Sequence, residues 1–431
     1  MRMTGQDELS AVKKFGLLTA LYMAQGLPFG FFVQALPVLL REQGLSLPAI
    51  GLTSLLALPW ALKFLWAPWA DRDGARRRVI LGLQASSAVL MVAVSALDPS
   101  TMMWWLLGAV LLTNFLAATQ DIATDGLAVK LLSFDQRGIG NGIQVGAYRV
   151  GMILGGGVLL VLFDALGWMA TFIMLALMIA LTMVPLLMCA RVEEEVGGRD
   201  VDESDEHASF GQRMGQIVSF LRRPRMMWWL LVLFLYKFGE SLAGGMLRPY
   251  LVDLEWGKDD IGWLLGGAGF TAGLLGALAG GLGAKHLERW RALIGFGVLQ
   301  VIGNACYFAL SMSDGFTGYV LMSVLVEHFT GGMATAILFT MMMDMCEERT
   351  AGTDYTIMAS VVVLTVGLGQ GVSGFIASEV GYAGVFGLAV VLGGVGVLMI
   401  WLWLRGVVFD VWQEKTSEST SGVDSLETIF Q

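Results

Sequence analysis

Long apolar runs separated by short polar breaks fill the chain from about residue 15 to 405. A helix needs about 20 such residues to cross the hydrocarbon core of a bilayer. The pattern therefore predicts twelve spanning helices, near 15–40, 46–70, 78–97, 103–130, 139–163, 167–190, 226–250, 260–283, 291–311, 316–345, 355–378 and 383–405. The polar N-terminus runs to Lys14, and the apolar run that follows exceeds the roughly 7–15 residues of a signal-peptide core, so it is read as an uncleaved first span. An even number of crossings puts both termini on one side, and the basic residues indicate which. The terminal segments and the loops after helices 2, 4, 6, 8 and 10 hold 21 of the 27 Lys and Arg. The opposite loops hold only Arg41, Arg248 and Lys258, while Lys63, Arg149 and Lys237 fall within spans. By the positive-inside rule both termini are expected in the cytoplasm.

One long hydrophilic stretch divides the twelve spans into six and six. The expected organisation is an N-terminal six-helix bundle (1–190), a cytoplasmic linker (191–225), a C-terminal six-helix bundle (226–405) and a cytoplasmic tail (406–431). The linker mixes Glu193-Glu194-Glu195 and Asp202–Glu206 with Arg222, Arg223 and Arg225, which suits a solvated tether or a regulatory segment. The tail ends Leu426-Glu427-Thr428-Ile429-Phe430-Gln431, which resembles a viral 3C-protease cleavage site and is left out of the functional reading. The two halves look like copies. Pro37 and Pro249 lie 212 positions apart, and the same offset relates Asp135-Gln136-Arg137 to Glu347-Glu348-Arg349. Two such halves fit a transporter whose ligand binds between repeats near the midplane.

Composition adds to this picture by exclusion. With 56% hydrophobic and 15% charged residues, 56 Gly and 14 Trp, the balance is that of a membrane protein. The net charge of −9 sits largely in the linker and tail, so it says little about substrate, and no nucleic-acid partner is expected. Cys189, Cys306 and Cys346 lack the spacing of a disulfide framework or metal site, and three His cannot build an iron or zinc cluster. No phosphate-binding loop and no nucleophile arrangement stands out. Neither a cofactor nor an enzymatic activity is expected.

The octet Asp71-Arg72-Asp73-Gly74-Ala75-Arg76-Arg77-Arg78 is squeezed between two apolar runs, which forces both helix ends to one membrane face. It resembles the loop between helices 2 and 3 of the major facilitator superfamily. That resemblance implies a charge lock for gating formed by Asp71, Arg72, Gly74, Arg76 and Arg77. The corresponding stretch of the second half, Gly283–Arg291, has decayed, so the lock is expected to be asymmetric. Further strings are Gln25-Gly26-Leu27-Pro28-Phe29-Gly30-Phe31-Phe32, Lys63-Phe64-Leu65-Trp66-Ala67-Pro68, Gln120-Asp121-Ile122-Ala123-Thr124-Asp125 and Tyr148-Arg149-Val150-Gly151-Met152. Together they resemble the branch that holds the AmpG muropeptide permeases, the acetyl-CoA transporters and the RhtX/FptX siderophore-uptake permeases. The compact length and the opening string are most similar to the RhtX/FptX group, with pyochelin-type uptake nearest. The resemblance implies an all-α integral membrane protein of the bacterial inner membrane, with twelve helices in two bundles. The implied function is monomeric, proton-coupled import of a siderophore or its iron complex by alternating access. A muropeptide permease is the alternative, and a non-transporting receptor or polytopic enzyme stands in a different class.

Ionisable residues within spans are costly and mark candidate sites. Asp121 and Asp125 are four apart, so both carboxylates lie on one helical face. They can carry the coupling proton, neutralise Arg149 in a structural ion pair, or touch substrate beside Gln120. Lys63 lies two turns from the end of helix 2 and can reach the interface or, as the flanking Trp60 and Trp66 favour, pair within the bundle. Lys237 corresponds to Gln25 by the repeat offset, making the two candidates for the walls of a cavity, unless Lys237 simply pairs with Glu240 three residues on. Glu327 and His328 are adjacent and diverge by about 100°, so only one is expected to face a cavity, where His328 could relay protons or bond between helices. Phe31, Phe32, Trp60, Trp66, Tyr148 and Tyr236 can stack on an aromatic ligand or pack between helices. Glycines 151, 155–157, 266, 273, 276, 280 and 281 allow helices to approach closely and slide.

Overall fold

The computed structural model describes residues 10–36, 40, 53–71, 76–98, 101–189, 210–313 and 316–404, and all regular structure among them is helical. Helix α1 spans Ala11–Gly30 and runs on through a π-helical turn at Phe31–Ala35. The predicted helix 46–70 is not one rod. Its first part lies outside the described residues, and the rest is a chain of short turns with α2 at Leu58–Leu62 and α3 at Ala67–Ala70. Pro59 and Pro68 explain the breaks, because each starts a new helical turn and neither can donate a backbone hydrogen bond. There follow α4 (Arg76–Ser95), α5 (Met103–Leu131), α6 (Phe134–Met152) and α7 (Leu159–Met188). Within the predicted linker, α8 covers Phe210–Arg222, with Ile217 and Phe220 buried and the Arg213 guanidinium donating to the Pro68 carbonyl at 2.8 Å. The described end of the linker is thus a docked helix. Beyond it lie α9 (Met226–Asp253), α10 (Lys258–Gly262), α11 (Phe270–His286), α12 (Arg289–Ser311), α13 (Thr317–Asp344) and α14 (Ala351–Leu404).

Nine helical stretches among the described residues are long and apolar enough to span a bilayer. One of them, Ala351–Leu402, has 52 residues, enough at about 1.5 Å per residue for two crossings of a core about 30 Å thick. Its course turns at Gly381, with φ 70° and ψ 177°, and α7 turns at Gly167 with φ 71° and ψ 176°. Only glycine adopts that region readily. Both turns fall where the sequence pattern separates successive spans, at 163–167 and 378–383. They recur at matching places in the two halves, which supports the duplication read from the sequence.

Two compact units result: Met1–Phe220 with Met342–Ser360, and Leu221–Met341 with Val361–Gln431. In the first, α1 and α6 pack backbone on backbone. A side chain at Gly26 would strike the Tyr148 carbonyl, and one at Gly155 would strike the Leu27 carbonyl. Apolar clusters close both ends of this unit, around Phe31, Phe172 and Leu175 at one and Leu21, Ile80 and Leu127 at the other. Polar residues are held between them. The second unit has its own apolar cluster around Leu247, Tyr307 and Phe386.

Candidate functional site

The turn Lys63–Leu65 between the two proline-initiated segments directs Lys63 into the first unit, where its side chain is 2% exposed. There its ammonium pairs with Asp121 and stands 4.0 Å from Asp125 Oδ2. As the spacing predicts, both acids lie on one face of α5. Their basic partner is Lys63, and neither is bonded to Arg149, which is half-buried on α6. Asp125 Oδ1 also accepts from the Tyr22 hydroxyl at 2.9 Å and from Gln144 Nε2 at 3.4 Å. Tyr355 in turn donates to Gln144 Oε1 at 3.4 Å. One ammonium therefore serves two buried acids, inside a net of neutral donors that can follow a change of charge.

Beside this net stands an aromatic wall. Trp60 lies 5.4 Å from Phe29 and 6.3 Å from Tyr148 between ring centroids, and its indole N–H donates to Asn114 Oδ1 at 3.0 Å. Several buried amides are left unsatisfied: both polar atoms of Gln25, Nε2 of Gln120 and Nδ2 of Asn114. A buried amide without a partner costs about 1–3 kcal/mol, so such atoms call for an explanation. Among the other aromatic candidates, Phe31 is packed against Phe172 at 4.9 Å, and Tyr236 is buried with its hydroxyl on the Leu293 carbonyl.

Asp71 pairs with Arg76 and accepts the Thr353 backbone N–H at 2.8 Å through Oδ2. Thr353 is in the first turn of α14, where unpaired N–H groups and the helix dipole favour an anion. Space for this contact exists because Gly352 has no side chain: a Cβ there would stand 2.6 Å from the Asp71 carboxyl. Arg77 donates to the carbonyls of Leu186 (3.1 Å) and Leu187 (3.3 Å) at the end of α7. Arg72 and Gly74 lie outside the described residues. Sequence reasoning missed a second clamp, Arg137 to Asp344 (2.8 Å) and to the Met343 carbonyl (3.2 Å). The Asp135-Gln136-Arg137 motif was its one visible sign.

In the second unit Lys237 does pair with Glu240, which also accepts from Gln300, while Lys237 donates to Thr335 at 3.0 Å. The adjacent Glu327 and His328 meet at the ends of their side chains. Glu327 Oε2 meets His328 Nδ1 at 2.9 Å and the Tyr307 hydroxyl at 2.9 Å. The glutamate side chain is long enough to swing toward its neighbour although the Cβ atoms diverge.

Comparison with known proteins agrees with this architecture. The profile of the Major Facilitator Superfamily matches residues 18–353 and, in a second alignment, 230–428. The anhydromuropeptide permease of Escherichia coli K12 is 28% identical over 352 residues, 80% of this chain and 70% of that protein. An uncharacterised protein of Haemophilus influenzae is 30% identical over 393 residues, covering 87% of this chain and 91% of its own length. Among solved structures, the human organic anion transporter MFSD10 superposes with a TM-score of 0.70 at 15% identity, over 91% of this chain and 100% of that one. That likeness concerns the fold alone.

Proposed function

Since the chain belongs to the major facilitator superfamily, we propose that this multi-pass secondary transporter imports anhydromuropeptide-class fragments of peptidoglycan across the bacterial inner membrane, driven by protons. The observation that carries the substrate is the 28% identity to an anhydromuropeptide permease over 80% of the chain. No relative reported above is a siderophore permease. The muropeptide that the sequence left as the alternative has the better support. Site chemistry is consistent with it. Such ligands carry sugar hydroxyls, acetamido groups and carboxylates, which unsatisfied amides at Gln25, Gln120 and Asn114 can bond, while Trp60 and Tyr148 offer faces for a pyranose ring.

In this reading Asp121 and Asp125 accept the coupling proton. One ammonium balances one carboxylate, and a proton on the other makes the group neutral. Asp71, Arg76 and Arg77 serve as the gate, both termini face the cytoplasm, and twelve crossings in two repeats support alternating access. Binding to the purified full chain in detergent tests the substrate. Calorimetry should give saturable heat with an anhydromuropeptide and none with pyochelin or its iron complex. The opposite ranking would return the function to siderophore uptake.

A further inference from the structure

The spans Asp260–His286 and Thr317–Asp344 of the second unit enclose a groove of about 650 Å3, within the size range of ligand sites. Its floor lies where a π-helical turn, Trp263–Gly269, leads into α11, and such turns are frequent at functional sites. Gly267 in that turn leaves the recess: a Cβ there would have only the Trp263 indole near it, at 3.8 Å. Thr271 and Leu275 of α11 and Phe329 and Thr330 of α13 complete the wall. Both hydroxyl protons are committed inside the protein, from Thr271 to the Gly267 carbonyl at 2.8 Å and from Thr330 to the Val326 carbonyl at 2.9 Å. The described lining holds no charged side chain. A sugar or peptide seated there would find its own polar groups unpaired, whereas a hydrocarbon would lose nothing.

We propose that this groove holds one acyl chain of a phospholipid, from the leaflet on the side away from the cytoplasm. The rim residues Trp263, Leu275 and Phe329 are exposed by 65%, 54% and 36%. Leu278 and Leu282 of α11 and Met322 of α13 continue that exposure with apolar side chains, as a face turned to the bilayer requires. Trp263 stands at the start of its span, at the end that the charge pattern places opposite the cytoplasm, and tryptophan favours the headgroup level. From Trp263 to Leu275 is 12 residues, about 18 Å along the helix, which is a little more than half of a core about 30 Å thick. That is the depth of one leaflet. A second copy of the chain fits less well: a rigid helix laid across the rims would leave the recess at Gly267 empty and forfeit its contacts, while a flexible chain can fill it. The site is separate from the Lys63, Asp121 and Asp125 group of the first unit, and it stands whichever solute the protein carries.

Photolabelling of the full chain in dodecyl maltoside micelles tests the site, with a phosphatidylethanolamine that carries a diazirine in the middle of one acyl chain. As this lipid is titrated in, labelling mapped by mass spectrometry should saturate on the peptides around Gly267 and Phe329. Labelling at Leu177 and Leu181, exposed on α7 of the first unit, should instead rise in proportion to the lipid added. Gly267→Leu and Thr271→Phe each fill the groove, so each should weaken the saturable binding by on the order of tenfold or more. Unlabelled phosphatidylethanolamine should raise the melting midpoint of the wild type by mass action and raise that of the two variants less. Groove labelling that only tracks the lipid added, or a saturable component that survives both variants, would overturn the proposal. Displacement of the label by an anhydromuropeptide would assign the groove to the solute, and a cross-link between two copies at these residues would assign it to a dimer; either result overturns the lipid site.

Discussion

Replacing Lys63 by Met removes the one ammonium between two acids while keeping most of the side chain's length and packing. Asp121 and Asp125 are left with side-chain exposures of 11% and 1%, so solvent relieves little of their charge. Truncating one partner of a buried ion pair costs about 3–5 kcal/mol, because the other is left uncompensated. At roughly 2–4 °C per kcal/mol for a unit of this size, the melting midpoint should fall by on the order of 10 °C. Replacing both partners by neutral groups is close to neutral for stability, so Lys63→Met combined with Asp121→Asn should recover most of that loss. Asp125 would keep its bonds from Tyr22 and Gln144. Fluorescence-detected melting of the three variants gives the stability cycle, and proton-driven uptake by the same preparations gives the function. The double variant should melt near wild type and still fail to accumulate ligand. A single variant that melts within about 2 °C of wild type, or a double variant no more stable than the single, would refute the pairing as the source of both effects.

Four further outcomes follow from named contacts. Asp71→Asn removes the anion at the start of α14, so turnover should fall severely while ligand affinity stays within a few-fold, as steady-state uptake beside equilibrium binding would reveal. Gly352→Ala puts a methyl 2.6 Å from the Asp71 carboxyl and should give the same split between turnover and binding; a wild-type uptake rate would show that the contact does not govern gating. Gln25→Leu removes a buried amide with no partner, so the protein should melt at the same temperature or higher yet bind the anhydromuropeptide more weakly, and lower stability with unchanged affinity would contradict its role. Gly381→Ala should cost about 1–3 kcal/mol through backbone strain alone, measurable as a lower melting midpoint, since open space surrounds its missing side chain.

Much of the fold was legible because hydropathy and helix length are local properties. The turns at Gly167 and Gly381 fall where the pattern divides successive spans. The break-up of helix 2 was not read, although Pro59 and Pro68 are plain in the sequence, because proline is often tolerated in spanning helices. At the site, the shared face of Asp121 and Asp125 followed from helical spacing, and the inward Lys63 from its flanking tryptophans. Which base meets those acids did not, since that depends on how α5 lies against the segment around Lys63. Contacts to backbone are the least legible. The Thr353 N–H and the Leu186, Leu187 and Met343 carbonyls carry no residue signature, so half of each of these contacts was invisible. The contact between Glu327 and His328 was not legible either, because a rule about Cβ directions does not bind the end of a flexible side chain.

Proton-coupled muropeptide import can be measured in proteoliposomes containing the full chain, an external radiolabelled anhydromuropeptide and an internal pH dye. Under an inward proton gradient the muropeptide should accumulate above its external concentration, with acidification of the lumen that requires the ligand and is lost in Asp121→Asn or Asp125→Asn. Accumulation that ignores the proton gradient, or lumenal acidification driven by a siderophore and not by the muropeptide, would contradict it.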